Sequence, residues 1–286
     1  MPRIAYVNGR YTPHSRAAVH IEDRGYQFAD GVYEAIDVVA GKLVDENPHL
    51  DRLARSLSEL SMAPAMGKGP LRHVMGELIR RNRLDNGFIY LQITRGVAPR
   101  DHAFPAATES ALVMTVRRLS EATRTKGQKA GVSVITTPDI RWQRCDIKSV
   151  SLLPNVLGKQ AAREAGAFEA WMVDAEGRVT EGTSSNAWIV TKKGELLTRN
   201  ATESILSGIT RRAVLAIAKK RKLKFIERTF TVKEAKNAAE AFITSTTSRV
   251  KPVISIDGKK IGTGKPGPIT GALINYYRDH VSRQTT

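Results

Sequence analysis

At 286 residues, with 41% hydrophobic and 26% charged content, the chain is long enough to bury a full core in one large domain or two smaller ones. Its 45 basic against 28 acidic side chains give a net charge of +17, and the single cysteine, Cys145, excludes an internal disulfide and a multi-cysteine metal site. No apolar run approaches the roughly 20 residues that span a bilayer, and Met-Pro-Arg-Ile-Ala-Tyr-Val lacks a signal-peptide core, so a soluble protein of the reducing cytoplasm is expected. In chain order, Ile4 to Val7, the turn Asn8-Gly9 and Arg10 to Thr12 read as a hairpin. A loop holding Glu22 to Gly31 leads to a second hairpin from Val32 to Val44, where alternation puts Val32, Glu34 and Ile36 on one face and Tyr33, Ala35 and Asp37 on the other.

Asn47-Pro48 signals a helix start, Asn as N-cap and Pro at the first helical position, and Leu50, Leu53, Leu57 and Leu60 supply its core stripe. A second helix is expected over about Leu71 to Leu84, then strands at about Phe88 to Thr94 and Ala111 to Val116. The polar, Pro-containing stretch Arg95 to Pro105 lies between those strands. Residues 1–119 therefore read as a small α+β section. Polar residues 120–129 read as a linker, and 130–286 as a second, larger section. That section opens with a strand at Gly131 to Thr136 and a helix over about Asn155 to Ala165. A strand-rich block over Glu169 to Thr198 follows, then a helix capped by Ser207, further strands, and a final helix over about Thr270 to Arg283.

The positive charge invites a nucleic-acid reading, but the densest run, Lys219-Lys-Arg-Lys-Leu-Lys224, closes an expected helix, where the dipole favours cations. The other basic residues are scattered without aromatic interleaving, so steering of small anions is preferred to nucleic-acid binding. Two literal motif matches carry nothing: Gly262-Thr-Gly-Lys-Pro-Gly267 is interrupted by Pro266, and Ser248-Arg-Val-Lys251 lacks its companion motifs.

Lys148 stands apart from the other lysines. It follows Asp146, is flanked by Ile147 and Val150 and precedes Leu152-Leu153, a setting that buries its stem; a partly desolvated ammonium has a lowered pKa and suits a Schiff-base lysine. Three further stretches are polar where a core wants apolar residues. Thr180-Glu-Gly-Thr-Ser-Ser-Asn186 leads into an apolar strand, and Ser207-Gly-Ile-Thr210 opens a helix, where free N–H groups favour phosphate. Thr244-Ser-Thr-Thr-Ser248 ends a strand. Each alone reads first as a cap or turn; together with a buried lysine they describe pyridoxal 5′-phosphate.

In these motifs, with Glu22 to Phe28, Asp30-Gly-Val-Tyr-Glu34, His49-Leu-Asp-Arg-Leu53, Arg95 to His102, Arg141 to Leu153 and Gly208-Ile-Thr-Arg211, the chain resembles the fold-type IV pyridoxal-phosphate enzymes. Within them it is most similar to the D-amino-acid (D-alanine) aminotransferases. The resemblance implies an α+β fold of two domains, a small N-terminal α/β domain and a larger pseudo-barrel C-terminal domain carrying the cofactor lysine. It implies transamination between a D-amino acid and a 2-oxo acid such as 2-oxoglutarate, in a cytoplasmic homodimer with shared sites and no metal. It makes Lys148 the Schiff-base lysine and Glu181 the partner of the pyridine nitrogen. Arg52, the amides of Ile209 and Thr210, and Thr246 would hold the phosphate; Leu206 would pack on the ring, and Ser184 and Ser185 would line the Glu181 side. Tyr33, Arg100 and His102 would grip the substrate carboxylate, the last two from the neighbouring subunit. Ala29 and Thr183 depart from the glycine and serine of the relatives. A branched-chain L-amino-acid aminotransferase, an (R)-amine transaminase or an aminodeoxychorismate lyase would share the cofactor residues. The remote alternative is a basic nucleic-acid-binding protein.

Overall fold

A computed structural model describes residues 3–286; Met1 and Pro2, the start of the 1–119 section, lie outside the described residues. The chain divides into two compact units. The first holds the residues up to Ser120 together with Ile147–Ser151 and Gln284–Thr286; the second holds Glu121–Asp146 and Leu152–Arg283.

In the first unit, β1 (Ile4–Val7) and β2 (Arg10–Pro13) form the expected hairpin, followed by a short helix α1 (Arg24–Phe28) that the sequence did not signal. Next come β3 (Gly31–Val39), β4 (Lys42–Leu43), α2 (Glu46–Glu59), α3 (Lys68–Asn82), β5 (Gly87–Thr94) and β6 (Ala111–Arg118). The strands build one antiparallel sheet in the order β2-β1-β6-β5-β3-β4. Leu50, Leu53 and Leu57 of α2 are buried against Val32, Ile36, Ile89 and Leu91, each contributing about 1.5–3 kcal/mol on burial. The α2 start differs from expectation. Its N-cap is Asp45 in the left-handed region, and Asn47 and Pro48 lie inside the first turn. Ala29, the departure from glycine, is the left-handed C-cap of α1 with φ 55°. A Cβ there costs on the order of 1 kcal/mol, so glycine would be the less strained residue at this cap.

The second unit begins with α4 (Glu121–Ala130), so the polar stretch expected as a linker is helical. Arg124 of α4, 6% exposed, donates to the Thr247 carbonyl and pairs with Glu121, and such anchoring holds a helix of poor apolar content. Then follow β7 (Val132–Pro138), α5 (Leu153–Glu164), β8 (Glu169–Val173), β9 (Val179–Gly182), β10 (Asn186–Val190), β11 (Leu196–Thr198), α6 (Ile209–Lys220), β12 (Phe225–Glu227), α7 (Val232–Lys236), β13 (Glu240–Ser245), β14 (Arg249–Ile256), β15 (Lys259–Lys260) and α8 (Pro268–Thr285). The mixed sheet runs β12-β11-β10-β13-β14-β7-β8-β9, with β15 on β14. Trp171, Ile189, Ile243 and Val253 are in its core. The α+β class is as expected. Among the described residues no helix is long and apolar enough to cross a membrane.

Candidate functional site

Lys148 is positioned by strand pairing. β3 pairs with β5 along its length but with β4 only at Val38 and Val39, leaving its N-terminal edge open. Residues 148–150 fill that edge: the Tyr33 amide donates to the Lys148 carbonyl at 3.0 Å, the Val150 amide donates to the Gly31 carbonyl at 3.0 Å, and Val32 and Ser149 form a bridge. This is why 147–151 group with the first unit although their neighbours in sequence belong to the second. Ile147 is anchored in the first unit's core, and Lys148 is half-buried with Nζ 4.1 Å from the Tyr33 ring centre. The alternation on β3 is as expected: Val32, Glu34 and Ile36 are buried together, and Tyr33 lies on the opposite face.

Glu34 is a carboxylate among those core residues, and α2 supplies its partners. His49, Arg52 and Ser56 lie three and four residues apart, a stripe beside the leucines. Arg52 forks onto Glu34, Nε to Oε1 at 2.7 Å and Nη2 to Oε2 at 2.8 Å, and His49 Nδ1 sits 2.7 Å from Oε2. Ser56 Oγ accepts the Lys148 amide at 3.3 Å. Burial alone would raise the Glu34 carboxyl; the charge and hydrogen bonds of Arg52, then His49, overcome it and hold Glu34 at about 2. His49 is lowered, by burial first and by the Arg52 and Lys148 charges, against the pull of Glu34. Arg52, expected at the phosphate, thus has Glu34 as a fixed partner.

Arg100 and His102 are on an exposed loop that is pinned from beneath. Arg24, 3% exposed, donates to the carbonyls of Asp101 at 2.6 Å and His102 at 3.4 Å, and to Asp30 Oδ2 at 2.8 Å. Arg95 also forks onto Asp30 and covers the Phe104 ring at 3.6 Å. The Phe28 ring has Arg24 and Arg100 guanidinium carbons at 4.8 and 5.0 Å and the His102 ring at 5.3 Å. Arg24, Phe28, Asp30 and Arg95 lie in quoted motifs, yet their supporting roles need partners that no spacing reveals.

In the second unit Glu181 ends β9, 5% exposed. It contacts Arg141 Nη1, accepts from Asn186 Nδ2 at 2.9 Å, and receives the Leu206 amide at 3.2 and 3.3 Å. Arg141 also forks onto Asp139, which takes the Thr180 hydroxyl at 2.6 Å. Burial raises the Glu181 carboxyl, with the Arg141 charge and hydrogen bond partly offsetting it. Cys145, 9% exposed, has its thiol pushed up to about 11 by burial, so near neutral pH it is a protonated core residue.

Asn186 Nδ2 also donates to the Leu206 carbonyl at 2.9 Å, linking the carboxylate to the start of α6. The N-cap of α6 is Gly208, not Ser207, and it makes no side-chain cap bond. The first-turn amides, those of Ile209 and Thr210 included, thus have no intrahelical acceptor and are available to an anion. A Cβ on Gly208 would stand 2.1 Å from Asn186 Oδ1, so only glycine lets the backbone approach. Thr246 is half-buried in the turn between β13 and β14, while the Thr244 hydroxyl accepts from Trp188 Nε1 at 2.9 Å. Ser184 and Ser185 hydroxyls point to Glu169, at 2.9 and 3.2 Å. Taken separately, the first unit offers a primary amine beside an aromatic ring and the second a buried carboxylate and an uncapped helix start, each a kind of group that pyridoxal phosphate uses.

Comparison with known proteins gives one family. The model of the family described as amino-transferase class IV matches residues 31–256. A D-alanine aminotransferase of Bacillus licheniformis is 46% identical over 263 residues, 92% of each chain. One from Staphylococcus haemolyticus is 39% identical over 281 residues, 98% of this chain and 99% of the relative. The branched-chain amino acid aminotransferase of Escherichia coli superposes with a TM-score of 0.91 at 22% identity, over 100% of this chain and 97% of that one. At that identity the likeness is one of fold.

Proposed function

The chain belongs to the class IV aminotransferase family, and from that premise we propose that it transfers the amino group of a D-amino acid of alanine's size to a 2-oxo acid such as 2-oxoglutarate. Pyridoxal 5′-phosphate is the cofactor. Near full-length identity to proteins called D-alanine aminotransferases supports the D-amino-acid side, whereas the branched-chain enzyme shares the architecture.

Lys148 would hold the cofactor covalently, and Glu181 would face its ring nitrogen. Arg52, the amides of Ile209 and Thr210, and the Thr246 hydroxyl would bind its phosphate, with Leu206 against the ring and Ser184 and Ser185 beside Glu181. Tyr33, Arg100 and His102 would bind the substrate carboxylate, Arg100 and His102 serving the neighbouring subunit of a homodimer. Exposed apolar side chains in each unit, Ile21, Tyr26 and Phe104 in the first and Leu153, Val156 and Leu157 in the second, support an assembly larger than one chain. A cytoplasmic location is proposed with it.

The cofactor supplies an electron sink for the pair left at the substrate Cα. With the cofactor bound, the Lys148 amine would be the base that moves the proton at the substrate Cα, general acid–base catalysis worth roughly 10²–10⁴-fold. Strand pairing at both flanks of Lys148 holds its backbone still while the side chain moves. Tyr33, whose amide is bonded to the Lys148 carbonyl, has its ring against the same amine.

The observation that carries the substrate reading is the pinned loop: Arg24 fixes the backbone at Asp101 and His102, so the adjacent guanidinium and imidazole are preorganised for a carboxylate. The test is a half-reaction. Protein loaded with pyridoxal phosphate and mixed with D-alanine, without an oxo acid, should release about one pyruvate per chain and lose its visible absorbance. Absence of pyruvate would overturn the proposal.

A further inference from the structure

Glu169, at the start of β8, is 0% exposed, and nothing above gives it a role. A carboxylate in a core costs several kcal/mol unless donors surround it. It has them: the Thr183 hydroxyl on Oε1, the Ser184 and Ser185 hydroxyls on Oε2 at 2.9 and 3.2 Å, and the Ala170 amide at 3.1 Å. Lys159 Nζ of α5 is 3.8 Å from Oε1. We propose that Glu169 is a positioning residue: by gathering three consecutive hydroxyls it fixes the 182–185 turn, and with it the directions of Glu181 and Asn186. This rests on the reading of Glu181 as the partner of the cofactor's ring nitrogen.

Consecutive residues of an extended chain point to opposite faces, so three successive side chains meet at one carboxylate only if the backbone is tightly turned. The turn is closed by the Gly182 amide on the Ser185 carbonyl at 2.7 Å. A Cβ on Gly182 would lie 2.4 Å from Ser185 Oγ and 3.1 Å from Glu169 Cγ, so the residue next to Glu181 is where the turn presses on Glu169. From outside, α5 holds the same turn: Asn155 Nδ2 donates to the Thr183 carbonyl at 2.8 Å, and the Thr183 methyl is 2.9 Å from where a Gly158 Cβ would be. Thr183, the departure from serine, thus fills the space over a glycine. The two ends of the turn are Glu181 and Asn186, joined by their own hydrogen bond at 2.9 Å. All three hydroxyls donate to Glu169, so each has spent its one proton and can only accept from anything else nearby. Ser184 and Ser185 act on Glu181 through Glu169 and not as donors to the cofactor.

The charged groups around the turn are Arg141 and Asp139 on the Glu181 side and Lys159 on the Glu169 side. Glu169→Gln keeps the volume but offers one acceptor oxygen, so a hydroxyl must reverse. Taking the size of effect seen for outer partners of bound groups, the variant should weaken cofactor binding to apoprotein about tenfold. It should also move the pH midpoint of the bound cofactor's visible band in the direction that Glu181→Gln moves it. A purely structural role would lower the melting temperature and leave affinity and midpoint alone. The proposal fails if Glu169→Gln keeps both parental values while Glu181→Gln changes them. If Glu181→Gln also changes neither, the Glu181 reading fails and this inference with it. Should Glu169→Gln not fold, Ser184→Ala with Ser185→Ala removes two donors; the same displacement of the midpoint is expected, and its absence overturns the proposal.

Discussion

Lys148→Ala should lose cofactor absorbance after dialysis and lower transamination by at least about 10²–10⁴-fold, the contribution of a positioned acid–base group alone. The loss should come without unfolding. What holds Lys148 in place is its backbone: the carbonyl accepts from Tyr33, the amide donates to Ser56, and Ile147 fills the core beside it. Alanine keeps all three. Far-UV circular dichroism and the melting temperature should therefore match the parent within the effect of a half-buried side chain. A variant that still exchanges amino groups at the parental rate would remove Lys148 from the chemistry.

Arg52→Ala should destabilise the first unit by about 3–5 kcal/mol, because it leaves the Glu34 carboxylate buried without its guanidinium. Glu34 is 0% exposed and makes two of its hydrogen bonds to Arg52. The double variant Glu34→Gln with Arg52→Met removes both charges and should recover much of that loss, a non-additivity that separates pairing from packing. The same pair sets an acid limit. The folded value of Glu34, about 2, is below its ordinary 4.5. Its contribution, on the order of 3 kcal/mol, is complete above about pH 4.5 and lost as pH falls towards 2. Denaturant midpoints measured across that window should fall steeply for the parent and less for the double variant. Equal slopes would mean that other carboxylates dominate.

The parts of this protein that announce themselves in sequence depend on local spacing. The leucine stripe of α2 follows from a period of 3.6, the first hairpin from its Asn8-Gly9 turn and the strands of the second unit from short continuous apolar runs, and all are observed. The motifs around Lys148, Glu181 and Gly208 were visible as polarity in the wrong place. What stayed hidden depends on distant pairing. Nothing near Lys148 in sequence says that residues 148–150 complete the open edge of a strand more than 110 positions earlier. Glu34 and Arg52 were each quoted in a motif, but only the fold makes them a fork. The 120–129 stretch looked like a linker because its composition is polar. It is a helix because Arg124 finds a carbonyl and a carboxylate, a tertiary gain that composition does not register.

The direct test of the substrate reading is to compare initial rates for D-alanine, L-alanine and L-leucine at one concentration, with 2-oxoglutarate as acceptor and the cofactor saturating. D-alanine should be much the fastest of the three, with glutamate and pyruvate formed in equal amounts. A faster reaction with L-leucine would contradict the D-amino-acid assignment while leaving the family and the cofactor in place.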